Sequence, residues 1–254
     1  MSPSSTLKAV LSWLRMLLWV GLGLQLFFVA QIGSMRFIDP PSTAFERSQI
    51  WQIVRAQGRL PWRQEWADAS QISAQLKRAV MASEDSAFVQ HNGVWWESIE
   101  KAWGRNEKAK AKAAQQVHKR VDPQGHPTAV TPKIVGGSTI TQQLAKNLML
   151  SGERTLVRKG QEFVLTLALE ALLSKQRILE IYLNHVEWGE GVFGAEAAAR
   201  HYFKKPASQL SAWEAARLAV MLPRPRYFEK RPQSPYLAER TQTIVTRMND
   251  VVAP

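Results

Sequence analysis

Cysteine is absent from the 254-residue chain. That excludes a disulfide framework, a thiolate metal site and a thiol nucleophile, and it points to no particular compartment. Acidic residues are scarce: 21 carboxylates stand against 33 Lys and Arg, a formal net charge of +12. Such an excess favours anionic partners, whether nucleic acid, phospholipid surfaces or phosphorylated substrates. Strand-like alternation of apolar and polar residues is almost missing, so the protein is expected to be mainly α. Nucleic acid is set aside as a partner, because the basic stretch at 100–133 offers no aromatic interleaving, zinc pattern or groove-reading helix in its support.

A long apolar run is present at the start. Val10 to Ile32 is dominated by Leu, Val, Trp, Phe and Gly, with Arg15 and Gln25 as the main interruptions. With Leu11–Leu14 added to the cleaner Met16–Ile32, it approaches the roughly 20 residues that cross a bilayer. Arg15 sits where its side chain can snorkel to the headgroups, and Trp13 and Trp19 fit an interfacial belt. The rival reading is a cleaved signal peptide, but the run is long for one and no small-x-small site follows Ala30. The chain is therefore divided into a cytoplasmic tail (1–9), a transmembrane anchor (10–32), a linker and membrane-proximal segment (33–69) and a domain (70–254). In the third segment Pro40-Pro41 marks a linker, and Trp51, Trp62 and Trp66 among Arg55, Arg59 and Arg63 suit either lipid or packing on the domain.

Ile72, Leu76, Ala79 and Val80 recur at helical spacing, predicting a helix over 71–82. Glu84-Asp85 follows at its end. The negative end of the helix dipole and the neighbouring carboxylate both raise a carboxyl pKa, as a general base requires. A surface Glu-Asp pair is the bland alternative. Between residues 100 and 133 lies a basic stretch, with Lys101, Arg105, Lys108, Lys110, Lys112, Lys119 and Arg120. Its first half suits a solvated helix and its second a loop.

The densest stretch is Gly136-Gly137-Ser138-Thr139-Ile140-Thr141-Gln142-Gln143, followed by Lys146-Asn147, Arg154, Arg158-Lys159 and Glu162. Thr139 with Gln142 is a capping-box pattern, and Ile140, Leu144 and Leu148 give the helix it starts a buried face. Donors at a helix N-terminus beside a glycine turn suit an anion or a sugar, though an ordinary amphipathic helix reads the same way. Phe163 to Leu173 is apolar on nearly every face and predicts a helix buried all round. A helix with Ile178, Ile181 and Tyr182 comes next, then a loop broken by Gly189, Gly191 and Gly194, then helices at 195–203 and 213–222.

Taken in order, these segments resemble the motifs of the peptidoglycan glycosyltransferase family. Glu84-Asp85-x-x-Phe88-x-x-His91-x-Gly93 resembles the first, Gly136 to Gln143 with Lys146-Asn147 the second, and Arg158-Lys159-x-x-Glu162 the third. Lys175-x-x-Ile178-Leu179-Glu180-x-Tyr182-Leu183-Asn184 is similar to the fourth, and Gly191-Val192-x-Gly194-Ala195 with Tyr202-Phe203-x-Lys205 to the fifth. The resemblance covers roughly 71–227. The chain stops soon after, which suits the monofunctional branch rather than the bifunctional penicillin-binding proteins. Two features depart from the family pattern: Val94-Trp95 where Phe-Asp is usual, and a longer segment between the first and second motifs. Both bear on the acceptor side of the cleft.

The resemblance implies a mainly α, two-lobed, lysozyme-like domain behind one transmembrane helix, in the bacterial inner membrane with its catalytic part periplasmic. It implies lipid II and the growing glycan strand as substrates, joined by inverting β-1,4 transfer with release of polyprenyl pyrophosphate. Glu84 is then the base and Glu162 the second essential carboxylate, which either orients cations or holds a divalent ion (Mg2+ or Mn2+); no organic cofactor is implied. Lys146, Arg154, Arg158, Lys159 and Lys205 are expected at the pyrophosphate. Ser138, Thr139, Gln142, Gln143 and Asn147 are expected along the substrate cleft. Protein partners in cell division or cell-wall synthesis fit the same picture. A lytic transglycosylase or lysozyme-like hydrolase, and a membrane-anchored scaffold without activity, are the competing readings.

Overall fold

The computed structural model describes residues 3–60, 62–117, 137–150 and 155–254. Helix α1 (Pro3–Ser34) includes Leu7–Ser34, long and apolar enough to cross a membrane. The helix therefore begins before residue 10, inside the expected tail. Its C-terminal end is docked rather than free: Ile32 and Met35 are buried in the main core cluster.

The segment expected as a linker carries structure of its own. Thr43 and Glu46 form a reciprocal capping box that starts α2 (Ala44–Gln57), and Gly58 ends it in the left-handed conformation. Glu46 is fully buried, and His185 Nδ1 lies 2.9 Å from its carboxylate, which ties α2 into the domain. Strand β1 (Arg63–Gln64) follows. Ser73 accepts from the Leu76 N–H and starts α3 (Ala74–Glu84) slightly later than its apolar spacing suggests. Helix α4 (Trp96–Val117) is the first half of the basic stretch. The second half, with Lys119 and Arg120, lies outside the described residues.

Next come α5 (Ile140–Met149), α6 (Leu156–Leu172) and α7 (Lys175–His185), with Ser or Thr capping each N-terminus. The glycine-broken loop contains a short hairpin instead: β2 (Glu187–Gly189) pairs antiparallel with β3 (Val192–Phe193), and β1 adds parallel to β3. These strands are two or three residues long and buried on the hairpin side, so they carry no alternation to read in sequence. Helices α8 (Ala195–Phe203), α9 (Ala212–Met221), α10 (Pro225–Glu229) and α11 (Pro235–Arg247) complete the chain.

The core is aliphatic and continuous. Leu76, Val80, Ile140, Leu144, Ile178, Ile181 and Leu218 are all essentially inaccessible, with Trp188 and Phe88 the large rings among them. Each such side chain contributes about 1.5–3 kcal/mol by leaving water. Helix α3 packs on α9, α9 on α11, and α5 on both α6 and α7.

One expectation about α6 fails. Its apolar residues do not all face the core: Leu165 and Leu169 are buried, but Phe163, Val164 and Leu167 are 38–46% exposed. Leu156 and Val157 stand out further still. Apolarity all round a helix marks an apolar surrounding, which lipid supplies as well as protein does. This face belongs to the helix that packs beside α1.

Candidate active site

Glu84 is the last residue of α3, and the chain turns at Asp85. Burial pushes the Glu84 carboxyl above its ordinary value, and the Asp85 charge adds to the effect. Hydrogen bonds from Gln143 and Ser83, and the charge of Arg240, act the other way without cancelling it. Removal from water is thus the larger cause, where helix end and neighbour were the expected ones. Gln143 Nε2 donates to Glu84 Oε2 at 3.0 Å, and the Tyr182 hydroxyl donates to Gln143 Oε1 at 3.0 Å. Tyr182 is enclosed, and burial with the Glu84 and Asp85 charges raises its phenol well above the usual value, so it stays a donor. This relay from α7 through α5 to α3 fixes which amide atom of Gln143 faces the carboxylate.

Asp85 has a separate task. Its Oδ2 accepts the backbone N–H of Ile140 at 3.0 Å, at the open N-terminus of α5, where the helix dipole favours a negative charge. His91 Nε2 lies 2.9 Å from the other oxygen of Asp85. Trp95 stacks on the His91 ring at 6.3 Å between centroids and 18° between planes. Gly93 sits at φ +82, and a Cβ there would meet Thr166 Cγ2 at 2.6 Å. Its carbonyl accepts from Thr139 Oγ1 at 2.6 Å, closing the first motif onto the second.

The second motif divides between support and surface. Thr139 Oγ1 accepts from the Gln142 N–H, and Gln142 Oε1 accepts from the Thr139 N–H, so the predicted capping box is formed. Both residues were expected along the cleft, but they are buried and these groups serve the helix start. Asn147 is buried as well, whereas Ser138 and Lys146 are exposed. Gly136 lies outside the described residues. Gly137 has no positive φ; its Cβ-less side lets α4 approach, where a Cβ would come within 3.1 Å of Ala102 and 3.2 Å of the Ser98 carbonyl.

The third motif forms a charge cluster on α6. Glu162 is buried; its Oε2 accepts from Arg158 Nη1 at 3.2 Å and its Oε1 from Lys159 Nζ. Arg158 Nε is buried without a hydrogen-bond partner among the described residues. Arg154 lies outside the described residues. Lys205 is held elsewhere, in a 2.5 Å ion pair with Glu214 in the first turn of α9. Glu180 and Asn184 clamp the chain ahead of α3: Glu180 accepts from the Ala69 N–H at 2.6 Å, and Asn184 exchanges two 2.8 Å bonds with the Ala67 backbone.

Both Glu162 oxygens face cationic side chains, and no cluster of three metal-binding side chains occurs among the described residues.

The transglycosylase family model matches residues 52–121 and 116–249, spanning every motif above. The chain belongs to the transglycosylase family. It is 48% identical over 233 residues to the biosynthetic peptidoglycan transglycosylase of Burkholderia thailandensis, covering 92% of this chain and 83% of that protein. The protein of the same name from Burkholderia orbicola matches at 48%, and that from Paraburkholderia xenovorans at 47%, over the same 92% of the chain and 86% and 88% of theirs. Sequence alone singled out Glu84, Gln143 and Glu162 in this transglycosylase. It did not give Tyr182 its role, although a lone hydroxyl among Ile178, Ile181 and Leu183 was the signal available.

Proposed function

We propose that this transglycosylase is a membrane-anchored peptidoglycan glycosyltransferase that polymerises lipid II. In this reading Glu84 removes the proton of the acceptor sugar's 4-hydroxyl. The oxygen then bonds to C1 of the donor's terminal sugar as the C1–O bond to pyrophosphate breaks, with inversion. The electron pair leaves on polyprenyl pyrophosphate and the proton stays on Glu84. A buried carboxylate with a raised pKa suits a base working near neutrality. Gln143 keeps that carboxylate in one orientation.

Arg158 and Lys159 meet the charge that gathers on the leaving group, in a place already arranged for it. Glu162 holds both cations and keeps them from collapsing elsewhere. Arg158 Nε, buried without a hydrogen-bond partner among the described residues, is a donor in reserve for an anion. Lys146 on α5 and Ser138 just ahead of that helix are exposed, and in this reading they too meet the substrate. Membrane association is supported by α1 and by the exposed apolar face of α6, which would lie in the bilayer with the domain on the periplasmic side.

The observation that carries the proposal is a buried, pKa-raised Glu84 hydrogen-bonded to Gln143 of α5, together with a two-cation cluster on α6, the helix that packs on α5. A hydrolase of glycan needs the carboxylate but has little use for cations at a pyrophosphate. The test is to give the purified full-length chain either labelled lipid II or preformed glycan, in lipid vesicles. Polymer from the first and no cleavage of the second is expected; cleavage without polymer would overturn the proposal.

A further inference from the structure

Gln25 interrupts the apolar run of α1, and a primary amide alone in hydrocarbon is costly. It is not alone. Gln25 Nε2 donates to Gln161 Oε1 at 2.6 Å, and Gln161 Nε2 donates back to Gln25 Oε1 at 3.0 Å. The two amides form a closed reciprocal pair between the anchor helix and α6. It stands at one end of a seam: Phe28 of α1 packs against the domain core, and Ile32 of the same helix and Met35 in the turn after it are buried in that core. Arg177 Nε donates to the Met35 carbonyl at 2.7 Å and closes the far end of that seam.

Apolar contacts between two helices fix neither rotation nor depth with any sharpness, because a slide of one turn replaces one aliphatic contact by another. A single part-buried amide pair at a membrane-embedded seam does fix them, since any other register leaves two amides without partners. Gln161 is the residue before Glu162, in the same two turns as Arg158 and Lys159. We infer that Gln25 and Gln161 are positioning residues: the anchor sets, through this pair, the depth and rotation at which α6 presents its cation cluster to a membrane-borne substrate. The inference rests on the reading of that cluster as the pyrophosphate site.

The absence of cysteine makes a direct test clean. Full-length chain carrying Gln25→Cys and Gln161→Cys, reconstituted in phospholipid vesicles, is expected to be bridged within one molecule by a short bis-maleimide. Trp19→Cys with Gln161→Cys serves as the out-of-register control and should not be bridged. Gln25→Leu is expected to lower kcat/KM for lipid II about three- to tenfold. The double variant Gln25→Leu, Gln161→Leu separates positioning from mere packing. It should recover the thermal stability lost in Gln25→Leu while keeping the loss in kcat/KM. Recovery of both would reduce the pair to a structural contact, and failure of 25 and 161 to bridge would overturn the pair itself. Bridging without polymer from the wild-type chain would instead contradict the proposed activity.

Discussion

Tyr182 and Gln143 are joined by a 3.0 Å hydrogen bond from the phenol hydroxyl to Oε1, and through it Tyr182 governs a carboxylate it does not touch. With Oε1 occupied, the Gln143 amide nitrogen can only turn to Glu84. Tyr182→Phe leaves a part-buried carbonyl oxygen unsatisfied, which costs about 1 kcal/mol. It should lower the unfolding midpoint and reduce kcat roughly tenfold, with KM nearly unchanged. Steady-state polymerisation alongside thermal unfolding checks both.

Glu84 makes stability depend on pH in an unusual sense for a carboxylate. Its folded pKa is raised, so its contribution to stability is full below the ordinary 4.5 and is lost as pH rises through the raised value. Glu84→Gln carries no such cost. The variant is expected to unfold at a higher temperature than wild type near pH 7.5, with the difference closing as pH falls below about 4.5. Unfolding midpoints of both proteins across that range measure it. For the same reason, the acid limb of wild-type kcat/KM should lie above the ordinary carboxylate value.

Gly93 is where the first motif is least tolerant of change. At φ +82 a β-carbon is strained, and it would also drive into Thr166 and Glu170 on α6. Gly93→Ala is expected to destabilise by about 2 kcal/mol or more. Chemical denaturation of the purified variant reads this directly.

What was legible in the sequence was what depends on neighbours along the chain. The capping box at Thr139 and Gln142 and the buried stripe Ile140, Leu144, Leu148 form as their spacing predicts. Less legible was anything decided by a partner distant in sequence. Glu84 owes its environment to burial and to Gln143 of α5, a residue distant from its own helix end. Lys205 sits in the right motif, but Glu214 claims it. The apolar run on α6 was read as core because composition cannot tell lipid from protein interior. Gln25 looked like a flaw in the anchor until Gln161 supplied its partner.

The central claim is that Glu84 is the base for glycan polymerisation. The direct measurement is single-turnover glycosyl transfer from lipid II by full-length wild-type and Glu84→Gln chains in lipid vesicles, with lipid II binding measured in parallel. The account predicts that Glu84→Gln binds lipid II within about threefold of wild type but transfers at least roughly a thousandfold more slowly. Transfer by Glu84→Gln at a rate near wild type would contradict it.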